Sequence, residues 1–399
     1  MELRSSSSSN GSDDPMIRTD LESNVREGQK KQPSLPIRAW VAPVTLLKNR
    51  KGHRVSDLFK TVACLMTALC IFQFIWIQHL QSGLVRVPND PFDIRFGDNV
   101  NQNSPSIWDS ERQSFIHNAV PVPVHSHNDY WRRIPLFEAL GSGCISVEAD
   151  VHLSNSDLLV GHASSSLNGA STLRSMYLEP LQRMLEMQNA HITDGTWRGI
   201  FDQAPQQTVV LLIDHKTAGP ETFAELDVQL QPLRDLDYLT YWNGTERVMR
   251  PLTVVASGNA PFQSVMALNA THRDIFWDAQ LDMLFSADDN FDVDPPIYAY
   301  NRSNSYFAST EFKRARLYTW HNESLPLPDT PSAKDIASTQ IEQAKARGLI
   351  ARYWDTPASP PNLRDIAWRV LVQLKVGILN MDDLGAVRAR ASGWGQIEL

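Results

Sequence analysis

The chain has 399 residues, 42% of them hydrophobic, enough to bury one large core with further segments outside it. A formal net charge of −8 argues against a general nucleic-acid binder, which would carry a basic face. Of three cysteines, Cys64 and Cys70 fall in an apolar run and only Cys144 lies beyond it, so a folded domain has no disulfide framework to lean on.

Residues 1–55 read as a disordered cytosolic tail, its first 38 residues Ser-rich and charged with almost no apolar periodicity. The run TVACLMTALCIFQFIWIQ, residues 61–78, has no charge and is long enough to cross a bilayer. Lys48, Arg50, Lys51, Arg54 and Lys60 precede it, and only Arg86 follows within a comparable distance. The positive-inside rule therefore predicts a signal anchor over 58–80, N-terminus in the cytosol and the remainder luminal or extracellular on the secretory route. No small-x-small cleavage site follows at once, which argues against a cleaved signal peptide. Four Asn-x-Ser/Thr sequons that lie after the run, at Asn243, Asn269, Asn301 and Asn322, fit that topology as candidate glycosylation sites. Residues 81–114, rich in Pro, Asn, Asp and Ser, are expected to form a stalk.

The domain is expected over 115–395. Strand-like runs fall at 122–124, 144–151, 208–213, 252–256, 274–277, 297–300, 349–353 and 376–379, with a further short run at 158–160. Helical stretches fall at 134–140, 178–187, 220–230, 261–268, 333–346 and 361–374, several opening with proline, which suits a first helical turn. Strands alternating with helices imply a parallel sheet, and eight strands in this length predict an α/β fold of the TIM-type (β/α)8 barrel class. A doubly wound sheet would show a Gly-rich loop after its first strand, and none is present.

In such barrels chemistry sits at the carboxyl ends of the strands, where this chain places polar residues. Glu148 and Asp150 lie two apart in an apolar strand and so point the same way. Side by side they would repel and be costly to desolvate unless a cation or proton lay between them. Asp214 and Lys216 share a face at the end of a second strand, while His215 points away. Glu148, Asp150 and Asp214 are hard oxygen ligands, which favours one Mg²⁺ or Ca²⁺ over zinc. Two histidines of this region supply a base and an acid, and Lys216 offers a positive charge to an anion. Cation, lysine and two histidines together describe phosphodiester cleavage.

The order His127, Glu148-x-Asp150, His162, Asp214-x-Lys216 and Asn380-Met-Asp382 resembles the glycerophosphodiester phosphodiesterase (phospholipase C-like) superfamily, which includes the metal-dependent phospholipase D toxins. Ser126-His127-Asn128-Asp129-Tyr130, with the N-terminal span, is more similar to the fungal altered inheritance of mitochondria protein six family. The resemblance covers residues 120–385. It implies His127 and His162 as acid–base pair, Glu148, Asp150 and Asp214 as cation ligands, and Lys216 as phosphate contact, with Arg132 or Arg133 as further candidates. It also implies a nucleophile that is often the substrate's own neighbouring hydroxyl.

Typical glycerophosphodiesterases carry Arg-Gly directly after the first histidine, where this chain has Asn128-Asp129, so the substrate stays open between glycerophosphodiesters and phospholipid-like diesters. Two other readings stand beside this one. One is a catalytically inactive phosphate-binding scaffold. The other is a metal hydrolase of amidohydrolase type opening on His125-Ser-His127, which would call for further histidines at later strand ends.

Overall fold

A computed structural model describes residues 49–85, 116, 118–284, 300–313 and 331–388. The first described element is helix α1 (Asn49–Val85), 37 residues long. Its window Ser56–Gln78 has mean hydropathy 1.9 and no buried residue. At ~1.5 Å per residue that window spans roughly 35 Å, against ~30 Å for a bilayer's hydrocarbon layer. The Thr61 and Thr67 hydroxyls donate to the carbonyls of Asp57 and Ala63 at 2.8 and 2.9 Å, so the helix satisfies its own polar groups. By length and composition α1 is able to cross a membrane.

The strands, in chain order, are β1 (Val122–Ser126), β2 (Cys144–Ser154), β3 (Asp157–Val160), β4 (Val209–His215), β5 (Tyr241–Trp242), β6 (Arg247–Val248), β7 (Leu252–Gly258), β8 (Ile275–Gln280), β9 (Ser305–Glu311), β10 (Ile350–Trp354) and β11 (Leu379–Met381). Eight of them follow one another in the order β10-β9-β8-β7-β4-β2-β1-β11, parallel throughout, and form a nearly closed barrel. Between β10 and β11 the described residues show no backbone ladder. A side chain spans the seam instead: Arg352 donates from Nη1 to Asn380 Oδ1 at 3.0 Å. β3 folds back antiparallel on the far end of β2, and β5–β6 is a separate hairpin.

The helices around the barrel are α2 (Phe137–Gly141), α3 (Glu179–Asn189), α4 (Gly219–Gln229), α5 (Gln231–Asp235), α6 (Phe262–Ala267), α7 (Pro331–Ala346) and α8 (Pro361–Gln373). Proline sits in the first turn of α3, α4, α5 and α8, where its missing N–H costs no hydrogen bond. The core has two parts. Val147, Ala149, Leu211, Ile213 and Val254 face outward into the helices, against Leu140, Leu181 and Leu226. Val210, Leu212, Val255, Phe276, Phe307 and Ile378 fill the barrel interior. Burial on both faces is why these strands read as nearly continuous apolar runs.

Most expected elements lie within a few residues of those observed. The exception is the run at 297–300: residues 297–299 lie outside the described residues, Tyr300 is not in a strand, and the strand of this region is β9, Ser305–Glu311. Its sequence, SYFASTE, is too polar to stand out because it faces a polar stretch of the interior, where Ser309 hydrogen-bonds Asp278 and Arg352. The last strand also begins later than expected, at Leu379.

His215, at the end of β4, points away from Asp214 into the helix layer, its ring 6.3 Å from that of Phe223. Both ring nitrogens are buried with no hydrogen-bond partner among the described residues, and burial lowers the imidazole pKa from 6.5 to about 4. The unfolded chain binds this proton below about pH 6.5 and the folded chain does not until about pH 4. Its contribution to stability is therefore full at neutral pH and lost as the pH falls across that window. Urea unfolding of the full chain in detergent at pH 7 and pH 4.5 is expected to show a smaller loss in His215→Leu than in wild type, by on the order of 2–3 kcal/mol.

Candidate active site

Alternation brings the polar ends of the strands to one mouth. Asp150 on β2 and Asp214 on β4 are direct cross-strand neighbours, and Glu148 sits one interior layer below. Ligand oxygens of the three carboxylates lie within 4.8 Å of one another. Lys216, just past β4, places Nζ 2.7 Å from Asp214 Oδ2 and 3.0 Å from Asp150 Oδ2. Burial works against its charge, but the two aspartates prevail and raise its pKa above the usual lysine value. Asp214 is pushed up by burial and by the nearby charges of Asp150 and Glu148, against the pull of Lys216.

Asp150 is the most constrained group. Its Oδ2 accepts from Lys216, from His162 Nδ1 at 3.0 Å and from the Tyr130 hydroxyl at 2.7 Å. Its Oδ1 is buried and has no hydrogen-bond partner among the described residues. An unpaired buried carboxylate oxygen is costly, and one aimed into a group of three carboxylates fits a bound cation. All-oxygen donors of this kind suit a hard divalent ion.

The two histidines sit at the same mouth in matching arrangements. His127, just past β1, donates from Nδ1 to Asp382 Oδ1 at 2.8 Å. His162, after β3, donates from Nδ1 to Asp150. In each ring a carboxylate fixes the tautomer and leaves Nε2 for other partners. Both line a cavity of about 400 Å³ together with Glu148, Asp214, Lys216 and Arg352. Burial alone would lower the His127 pKa, but the Asp382 hydrogen bond and the Glu148 charge outweigh it and raise it above 6.5.

Beneath the mouth lies a buried polar layer. His125 accepts at Nδ1 from Ser146 Oγ at 2.7 Å and donates from Nε2 to Glu148 Oε2 at 3.1 Å. Burial and the Arg352 charge lower its pKa to about 4, so it is neutral at physiological pH. Burial would raise Glu148, yet the hydrogen bond from His125 and the charges of His127 and Arg352 hold it well below the usual carboxylate range. Arg352 Nη2 lies 3.2 Å from Asp278 Oδ2 and its Nε 2.9 Å from Ser309 Oγ.

The mouth thus brings together His127, His162, Glu148, Asp150, Asp214 and Lys216, the six residues marked out in the sequence. Other expectations change. Arg132 turns away from the cavity and donates to the carbonyls of Asp382 and His127, and Arg133 lies 3.7 Å from Glu138, so both serve the loop after β1. Both nitrogens of His125 are taken by Ser146 and Glu148, so His125-Ser-His127 does not present the paired nitrogens of an amidohydrolase site. Asp382 orients His127, and the neighbouring Asp383 accepts from the Ala386 N–H at 2.9 Å. Tyr130 and Arg352 carry no motif of their own. Tyr130 was visible only as the last residue of Ser126-His-Asn-Asp-Tyr130, and Arg352 only as a charge inside an apolar strand.

The Asp382 contact is testable without turnover. Proton NMR titration of the imidazoles is expected to place His127 above pH 6.5 in wild type, and to move it down in Asp382→Asn, where the neutral amide supplies no compensating charge.

Comparison with known proteins agrees with this geometry. Residues 113–278 match the AIM6-like phosphodiesterase domain. The altered inheritance of mitochondria protein 6 homolog of Arthroderma benhamiae is 37% identical over 279 residues, covering 67% of this chain and 83% of that protein. Altered inheritance of mitochondria protein 6 of Eremothecium gossypii is 37% identical over 276 residues, covering 67% and 69%. That of Saccharomyces cerevisiae is 31% identical over 274 residues, covering 66% and 69%. No solved structure matches the chain. With its barrel, its mouth and these relatives, the chain belongs to the altered inheritance of mitochondria protein 6 family and carries that family's phosphodiesterase domain.

Proposed function

We propose that this chain is a membrane-anchored phosphodiesterase that cleaves a glycerophosphodiester or phospholipid-like diester with one bound Mg²⁺ or Ca²⁺. The observation that carries the reading is the pair of carboxylate-oriented imidazoles, His127 on Asp382 and His162 on Asp150, lining one cavity with Glu148, Asp214 and Lys216. A mere phosphate binder needs the positive charge but has no use for two oriented proton carriers.

Glu148, Asp150 and Asp214 would hold the cation, and the partnerless Asp150 Oδ1 supports that assignment. When bound, the cation supplies positive charge to the phosphoryl oxygens and acidifies a hydroxyl near it. One imidazole Nε2 takes the proton of the attacking hydroxyl, from water or the substrate's own alcohol. The other Nε2 gives a proton to the departing alkoxide oxygen. Asp382 and Asp150 stabilise each ring while it is protonated, and Lys216 offers an N–H to the phosphoryl group from the same wall.

Helix α1 is the proposed anchor. The basic residues before its apolar window support an N-terminus in the cytosol and a barrel in the lumen or outside the cell. The net charge of −8 supports a phosphodiester or phospholipid substrate rather than nucleic acid.

Product release from glycerophosphodiesters, lysophospholipids and sphingomyelin by the full chain in detergent, with Mg²⁺, Ca²⁺, Zn²⁺ or EDTA, tests the proposal. One diester is expected to turn over with Mg²⁺ or Ca²⁺ and to stop with EDTA. His127→Ala and His162→Ala are each expected to lose roughly 10²–10⁴-fold in rate while keeping the wild-type melting temperature. Binding of a diester without turnover under any condition would favour the scaffold reading. The cation site has its own measurement: saturating Mg²⁺ or Ca²⁺ at about 100 Kd is expected to stabilise wild type by about 2.7 kcal/mol in thermal unfolding, and Asp150→Asn far less.

A further inference from the structure

Two sequons that the chemistry at the mouth leaves unused lie side by side at the opposite end of the barrel. Asn243 sits in the turn between β5 and β6, ahead of β7, and Asn269 sits between α6 and the start of β8. Both therefore precede their strands, at the amino pole. The two turns touch: a Cβ placed on Gly244 would stand 3.4 Å from Thr271 Cγ2, and Trp242 pairs with Arg273 across the gap.

The two turns share a pair of hydrogen bonds, and Asn243 Oδ1 accepts a third from the Glu246 N–H at 2.9 Å. Asn243 Oδ1 accepts from the Thr245 backbone N–H at 2.9 Å and from its hydroxyl at 2.8 Å. Asn269 Oδ1 accepts from the Thr271 N–H and hydroxyl, both at 2.9 Å. In each turn the carboxamide oxygen is occupied, and among the described residues the carboxamide nitrogen has no hydrogen-bond partner. Asn269, Thr271, Gly244 and Thr245 are exposed and Asn243 is half-buried. At Asn301, the third described sequon, the carboxamide Oδ1 accepts from the Ser303 N–H at 2.9 Å; this asparagine is half-buried, and the Ser303 carbonyl is taken by Arg273.

We infer that Asn243 and Asn269 are N-glycosylated, making the amino pole a sugar-covered face that leaves the mouth clear. The donor class is a lipid-pyrophosphate-linked oligosaccharide. The asparagine Nδ2 forms a bond to the anomeric carbon, the bond from that carbon to phosphate oxygen breaks, the lipid pyrophosphate leaves, and the amide gives up one proton. The inference rests on the luminal placement of the barrel proposed above.

The chain supplies its own control for that placement. Asp194-Gly-Thr196 is exposed and holds the same turn, Asp194 Oδ1 accepting from the Thr196 N–H at 3.0 Å and its hydroxyl at 2.6 Å. Asp194→Asn turns it into a sequon with little change of shape. The full chain would be expressed in yeast and run on gels with and without peptide N-glycosidase F. Asn243→Gln and Asn269→Gln are each expected to remove one glycan step, Thr245→Ala and Thr271→Ala to remove the same steps with the asparagine intact, and Asp194→Asn to add one. A step added by Asp194→Asn while the Asn243 and Asn269 variants co-migrate with wild type would overturn the sites and keep the luminal barrel. No glycosidase-sensitive step in wild type or in Asp194→Asn would overturn the placement, and the two sites with it.

Discussion

Repulsion among Glu148, Asp150 and Asp214 is the constraint around which the mouth is arranged. Asp150 and Asp214 face each other across neighbouring parallel strands, and like charges in that position oppose the pairing that holds the strands together. The protein offsets this with Lys216 from one side and with donors from His162 and Tyr130 on the other, all of them converging on one oxygen of Asp150 or its neighbour. The second oxygen of Asp150 receives nothing from the described chain. A barrel that tolerates a bare buried carboxylate oxygen at its mouth is giving up stability there, a trade usually found where a ligand completes the coordination.

Glu148 shows how the layer below sustains the mouth. Its charge survives burial because His125 donates to it and Arg352 stands 3.9 Å away. His125 in turn stays neutral because burial and the Arg352 charge both disfavour a positive ring, while Ser146 satisfies its other nitrogen. The sequence pairs His125 with His127 by spacing, yet the two do different work. His125 supports a carboxylate from within the barrel, whereas His127 stands at the cavity with its proton controlled by Asp382.

The alternation of strands and helices, and the six mouth residues, were legible because both follow from period-two geometry in apolar strands. A carboxylate in a run such as Cys144–Val151 has to be explained, and the fold gathers Glu148 and Asp150 with Asp214 at one mouth. What escaped notice obeys the same geometry with the contrast reversed. β9 was missed because Ser305 and Ser309 flank Phe307 on its interior face, Ser309 serving Asp278 and Arg352 in place of an apolar neighbour, so its pattern resembles a loop. Arg352 was missed because a single arginine in an apolar strand reads as an edge residue until its partners are known. The orientation of Arg132 could not be read at all, since a loop arginine reaches backbone carbonyls or solvent with equal ease.

Arg352 also ties the closure of the barrel to the electrostatics of its mouth. It lies on β10, beside the seam that no backbone ladder spans among the described residues, and its guanidinium reaches Asn380 on β11. The same planar group meets Asp278 and Ser309 and lends charge to Glu148. Lysine has one ammonium and could not make these contacts at once. Removing the guanidinium would leave Asp278 buried without its cation, which is more costly than never having the pair. It would also take the described side-chain link from the seam. Strand closure and the charge state of the cavity floor are therefore one structural decision, and a substitution cannot tune the floor without also loosening the wall.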